Sequence, residues 1–378
     1  MKTAVSRSRI TSVLLAVFGL MALAKIKPPN EWAQTHYLFS YDLGLSRRAF
    51  VGETLQWLGF DAVTNAQAHV VAILVTLMGG LALTLWVARH VPQTQAGLAL
   101  GLTIVTSFGF AVYLGNTGYL DGLLIVLAMA ALMIPGTGIG AVLAKCVLCC
   151  VGVLIHEAMA GTLAVLVGAQ LWLSGARILA PMPVIASGLV AAVLLLTSPF
   201  ADIALAEVTT VVSDRAPDFN ARSIAIEAVM RFRDGMEPSF LSFWDGPNHF
   251  FERTFVLPIG VIYLAIWLFL TRKLIPHRPP LDQLALAVSM LGPLAILLIA
   301  YDLSRFIGLI ILQGACLLIV LTQRDSTAQE RFHETFTPMV FVGFLVANVL
   351  IALPPLNPVP SFYDQLPGAV LDFEEWSD

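Results

Sequence analysis

Four short stretches of this chain bring together residue types able to hold an anion and move a proton. The first is Tyr41-Asp42-Leu43-Gly44-Leu45-Ser46-Arg47-Arg48. A carboxylate just before an arginine pair sets a proton acceptor beside planar, bidentate donors that suit phosphate oxygens. The plainer alternative is an interfacial salt bridge that holds a loop. The second stretch is Gly115-Asn116-Thr117-Gly118-Tyr119-Leu120-Asp121. Asp121 either orients a sugar or a metal, or opens a helix where its charge meets the dipole. The third is His156-Glu157. Neighbours on a helix point about 100° apart, so these two meet on one atom only if the backbone unwinds. A zincin needs a second histidine four residues after the first, but position 160 is Ala, so a metalloprotease is excluded. The fourth is Tyr301-Asp302-Leu303-Ser304-Arg305. Asp302 and Arg305 share a helical face, where they pair with each other or leave Arg305 as a second phosphate ligand.

The elements that must position these groups are membrane helices. Of 378 residues, 58% are hydrophobic and 12% charged, and mean hydropathy is +0.83. A soluble domain carries about 25% charged residues, so this chain cannot cover a soluble surface. A net charge of −4 leaves no basic stripe for nucleic acid. Cys146, Cys149, Cys150 and Cys316 all lie in apolar runs, and packing explains the Cys146–Cys149 spacing better than zinc or redox chemistry. There is no nucleotide or haem signal, and metal dependence is left open.

A hydrocarbon core of about 30 Å takes roughly 20 apolar residues per helix. That predicts an all-α, polytopic bundle with spans near 10–24, 68–88, 96–114, 119–134, 138–156, 158–174, 182–200, 255–270, 281–300, 306–322 and 337–353. Eleven spans result, or nine to ten if the Pro135–Gly140 region is re-entrant. The first has the basic start and the Ala22-Leu23-Ala24 ending of a signal peptide, and reads as a retained signal anchor. With the N-terminus inside, Arg89, Arg177, Arg272, Lys273, Arg278, Arg324 and Arg331 fall in inner loops, and Lys145 snorkels toward the same side.

That orientation places three longer regions outside a single transmembrane domain spanning 1–378: the aromatic loop 25–67, the loop 201–254, and the tail 354–378. Segments 202–213 and 221–233 have the spacing of interfacial amphipathic helices. Arg231, Arg233 and Asp234 read as a solvated face, Trp244-Asp245-Gly246-Pro247 as a turn, and Gly97 with Gly101 as a helix-packing pair. All four polar stretches converge on the outer side. Ionisable groups near membrane depth cost about 2.5–3.5 kcal/mol each, so their gathering marks a functional site.

This layout resembles the GT-C superfamily of integral-membrane glycosyltransferases and related polysaccharide polymerases. The resemblance lies in an acid in a long first outer loop, many further spans and polar residues collected outside. The stretch from Phe39 to Gly52 is also similar to a segment of bacterial membrane proteins, some near polysaccharide genes. Asp42 is a single acid where the family carries an acidic pair. The resemblance implies transfer from a polyprenyl-phosphate- or diphosphate-linked sugar on the periplasmic face of a bacterial inner membrane. Asp42 would take the acceptor proton, with Asp121, His156 and Glu157 as further catalytic candidates. Arg47, Arg48 and Arg305 would hold the lipid phosphate, supported by Tyr41, Asn116, Tyr301 and Asp302. Membrane lipids and the lipid-linked saccharide are the expected partners. A transporter or flippase would want polar residues at mid-span, and a non-catalytic scaffold would tolerate alanine at Asp42.

Overall fold

The computed structural model describes residues 3–197, 203, 205–221, 226, 229–230, 256–294 and 303–352. Those residues are helical, apart from turns and one isolated bridge between Ala4 and Thr94. Helix is found in each of the eleven apolar stretches. Five segments are long and apolar enough to cross a membrane: Arg7–Lys25, Asn65–His90, Gln95–Gly115, Leu257–Leu274 and Ser304–Arg324. The apolar helices Asp121–Met133, Ile139–Ile155, Ala158–Leu173 and Met182–Leu196 are shorter.

The chain opens with α1 (Arg7–Lys25) and then folds its first loop from short pieces: α2 (Glu31–Thr35), a 3-10 turn (Tyr41–Leu43) and α3 (Ala49–Trp57). A capping box of Thr64 and Gln67 starts α4 (Asn65–His90). The expected span 96–114 is broken into α5 (Gln95–Val105) and α6 (Phe108–Gly115), with Ser107 capping the second piece. The break is healed from elsewhere. Asn348 on the last described helix donates from Nδ2 to the Thr103 carbonyl and to Thr106 Oγ1. An apolar surround demands such a partner, because an unpaired backbone group there costs several kcal/mol.

Next come α7 (Asp121–Met133), α8 (Ile139–Ile155), the single turn α9 (Ala158–Gly161), α10 (Leu163–Leu173) and α11 (Met182–Leu196). Beyond them lie α12 (Leu205–Asp214), α13 (Leu257–Leu274), α14 (Pro280–Leu291), α15 (Leu303–Arg324), α16 (Ser326–Thr335) and α17 (Pro338–Ala352). Within 202–213 the chain forms α12, whose Val208 and Val212 are buried in the core. Most of 221–233, all of 231–255 and the tail 354–378 lie outside the described residues.

The core is organised around α15, which is buried on every side from Arg305 to Thr322. A helix apolar all round belongs at the centre of a bundle. It crosses α6 at Gly109 and Gly308, where a Cβ on Gly109 would sit 2.4 Å from the Gly308 carbonyl oxygen. Close backbone approach through small residues is how helices gain dispersion contact without water to drive them together. Gly101 instead makes room for the Leu14 side chain of α1. Its expected partner Gly97 does not. Gly97 closes on the Pro92 carbonyl within the preceding turn. Lys145 also departs from expectation. Instead of snorkelling to a surface, it is buried and donates to the Ala131 carbonyl and Gln170 Oε1. Gln170 in turn donates to Leu132 O, so the pair caps the end of α7.

An ion network lies where α10, α14 and α15 end or begin. Asp282 accepts from Trp172 Nε1 at 3.0 Å, from Arg177 and from Arg278. Asp325 accepts from Arg278 Nε at 2.8 Å, contacts His277 and caps α16 through Ala328 N. At 1.5 Å per residue, the rise along α15 from Arg305 to Asp325 is about 30 Å, the thickness of a hydrocarbon core.

Candidate functional site

At the other end of α15, four separate segments deliver charged side chains to one buried cluster. Arg305 stands in the first turn of α15, and Asp121 in the first turn of α7. The Arg305 Nε and Nη2 donate to the two oxygens of Asp121, the second at 2.6 Å, which is a bidentate fork. The same guanidinium lies over the Tyr119 ring, 5.1 Å from its centroid. Arg305 therefore pairs across 184 residues of sequence, a partner that spacing does not disclose. Tyr301 and Asp302 lie outside the described residues.

His156 and Glu157 meet the condition set by their adjacency. Helix α8 stops at Ile155, and His156 is extended, with φ −158° and ψ 127°. The backbone is unwound, so both side chains reach the cluster. Glu157 accepts from Arg47 Nη1 at 3.0 Å and from both Nε and Nη2 of Arg48. His156 Nε2 lies 3.2 Å from Arg305 Nη2, while the Ala158 amide donates to its Nδ1. A neutral imidazole accepts at only one nitrogen, so one of these two approaches sets donor against donor.

Arg47 and Arg48 come from the first loop. Arg47 is 3% exposed and also donates to the Val229 carbonyl at 2.8 Å. Burial pulls its guanidinium down to about 10, leaving it charged at neutral pH. Arg48 has φ 62° and is the sole non-glycine in the left-handed region among the described residues. Such a conformation costs about 1–3 kcal/mol and persists where the surroundings hold it. Here the fork to Glu157 and a 3.1 Å contact from Nη1 to His36 Nε2 hold it.

The loop is fastened at two further points. Tyr37 donates its hydroxyl hydrogen to the Gly118 carbonyl at 2.7 Å. Gly118 has φ 89°, and a Cβ there would crowd Pro29 and Ala72. Arg215, just after α12, donates to the carbonyls of Leu38, Gly52 and Asp61. Sequence reasoning missed His36, Tyr119 and Arg215 as part of this assembly. His36 and Arg215 stand outside the four stretches marked by residue type, and Tyr119 lies within one only as a neighbour of Asp121.

The remaining sequence candidates stand apart. Asp42 is exposed, and its Oδ2 accepts from Gln56 Nε2 and Ser40 Oγ, both at 2.8 Å. Those hydrogen bonds hold its carboxyl below the usual range. The Tyr41 amide donates to Glu53, and Asn116 is the C-cap of α6. The site that forms thus joins Arg47, Arg48, Asp121, His156, Glu157 and Arg305, with His36 and Tyr119. Among the described residues it sets three guanidiniums against two carboxylates. No group of three or more His, Cys, Asp or Glu among the described residues is arranged to hold a metal. Compared with known proteins, the chain matches no family model, no curated protein and no solved structure.

Proposed function

We propose that this chain is a polytopic membrane glycosyltransferase or polysaccharide polymerase that uses a polyprenyl-phosphate- or diphosphate-linked sugar. The eleven helical stretches serve as its spans, with the N-terminus cytoplasmic and the cluster facing the periplasm. One observation carries the assignment: a buried, donor-rich cluster in which guanidiniums outnumber carboxylates among the described residues. Three guanidiniums gathered in one buried place offer the planar, bidentate donors that phosphate oxygens take. The inner loops are basic, as a cytoplasmic side requires.

In this reaction the acceptor hydroxyl attacks the anomeric carbon, the bond from that carbon to the phosphate oxygen breaks, and the hydroxyl proton leaves. Arg47, Arg48 and Arg305 stabilise the negative charge that grows on the departing phosphate. Asp121 and Glu157 are held in arginine forks, so their work is to orient guanidiniums. Asp42 accepts from Ser40 and Gln56 rather than from a guanidinium. It is ionised at neutral pH and open to solvent, the state a proton acceptor needs.

The test is complementation of a deletion strain with Asp42→Asn and with Arg48→Ala, membrane levels matched, while surface glycans are profiled. Loss of the glycan with intact, inserted protein is the expected result. Wild-type glycan from both variants would sink the transferase assignment in favour of a flippase or a scaffold.

A further inference from the structure

We propose that His36 is a hydrogen-bond donor to the phosphate group of the bound ligand, through its Nδ1–H. This rests on the phosphate site proposed above. His36 follows α2 and is 1% exposed. Its ring is wedged edge-on against Trp32 and Tyr119, the same Tyr119 whose face carries Arg305. Its Nε2 lies 3.1 Å from Arg48 Nη1. A guanidinium has donors and no acceptor, so Nε2 must be the accepting nitrogen. In a neutral imidazole the hydrogen then sits on Nδ1. That atom is buried and has no partner among the described residues.

Neutrality follows from the surroundings. Burial first, then the charges of Arg48, Arg305 and Arg47 against the opposing pull of Glu157, hold the ring well below the ordinary histidine range. The tautomer is therefore fixed by Arg48, not by pH near neutrality. Leaving a buried N–H unmet costs about 1–3 kcal/mol, so such groups call for an explanation. The same stretch of loop holds a second case: Ser46 Oγ, directly before Arg47, is buried and has no partner among the described residues. His36 Nδ1 and Ser46 Oγ are thus two buried polar atoms of one loop, beside Arg47 and Arg48, that an acceptor would satisfy. A phosphate is all acceptor. It would meet Nδ1–H while its charge settles between the guanidiniums. No hydrogen is transferred: His36 holds the ligand and does not titrate in the process.

The experiment is binding of farnesyl phosphate to the full chain in detergent, by thermal shift and by calorimetry. Farnesol and inorganic phosphate are the parallel probes. The variants are His36→Phe, which keeps the ring size and removes both nitrogens, and His36→Asn, whose amide nitrogen replaces Nδ1. His36→Phe should bind farnesyl phosphate about tenfold or more weakly, the worth of one hydrogen bond to a charged acceptor, and His36→Asn should restore most of the affinity. In wild-type protein carrying 15N-histidine, the Nδ1 proton of His36 should move downfield when farnesyl phosphate is added; this readout needs no variant to fold. Equal affinity of wild type and His36→Phe, or an unmoved Nδ1 proton, overturns the role of His36 and leaves the phosphate site standing. Failure of wild type to bind, or binding of farnesol as tightly as farnesyl phosphate, overturns both. Should inorganic phosphate bind as well as farnesyl phosphate, the ligand is a free anion, and the same two variants still judge His36.

Discussion

Two ion clusters lie at opposite ends of α15, and they are built on opposite principles. At the Asp325 end, Arg177 and Arg278 face Asp282 and Asp325, charge for charge. The carboxylates are further used by Trp172, by His277 and by the first amides of α16. This end is self-satisfied, and its work is to tie helix ends together. At the Arg305 end, donors exceed acceptors among the described residues, an arginine is held in a left-handed conformation, and His36 and Ser46 keep buried polar atoms unmet. Folding alone is better served by the first arrangement. The second makes sense if another molecule completes it.

The sharpest break in this contrast comes from Arg305→Leu. It strands Asp121 in a buried site and should cost about 3–5 kcal/mol of stability, read as a lower melting temperature in detergent. Asp282→Leu should cost less, because Arg177 is half-exposed and Arg278 keeps Asp325, and it should leave farnesyl phosphate affinity unchanged. Equal loss of affinity in both would erase the distinction between the ends. The double variant Asp121→Leu with Arg305→Leu should regain most of the stability, because replacing a whole buried pair is nearly neutral, while affinity stays lost.

A smaller effect is expected from Glu157→Gln. Removing that charge leaves Arg47 and Arg48 without their shared counterion, so the free protein should melt earlier. Farnesyl phosphate should then raise its melting temperature more than it raises that of wild type, since ligand and Glu157 compete for the same guanidiniums. An unchanged ligand response would place the anion elsewhere.

The smallest effect is in pH. His36 is neutral in the folded chain, but its unfolded pKa is about 6.5. Below that value the unfolded chain takes up a proton that the folded one refuses, so stability falls as pH drops from about 6.5. His36→Asn should flatten part of the slope between pH 7.5 and 5, as followed by melting temperature. An unaltered slope would mean that the histidine is solvated.

The helices were legible because long apolar runs state their own length, and the gathering of Arg47, Arg48, Asp121, His156, Glu157 and Arg305 was legible in part because charge amid apolar runs is rare. The pairings were not. Spacing offers Arg305 a partner in Asp302, which lies outside the described residues, but gives no sign of Asp121, which tertiary packing brings from 184 residues away. The break after Ile155 has no proline or glycine to announce it. It exists because unwinding lets His156 and Glu157 face the same buried charges. Asp42 shows the converse: in sequence it stands beside Arg47 and Arg48, yet the 3-10 turn and Gly44 lead it out to Gln56 and solvent.

The walls of the Arg305 cluster are unequal in a way that bears on how anything enters it. One wall is α15, twenty-two residues of unbroken helix buried on nearly every side. The other, carrying His36, Arg47 and Arg48, is built from a five-residue helix, a three-residue turn and a nine-residue helix. Amides of α15 should exchange with deuterium only when the bundle itself comes apart, while those around 36–48 should need only a brief excursion of the loop. A ligand of the proposed kind would therefore enter on the loop's side, at the loop's own tempo, with the central helix still.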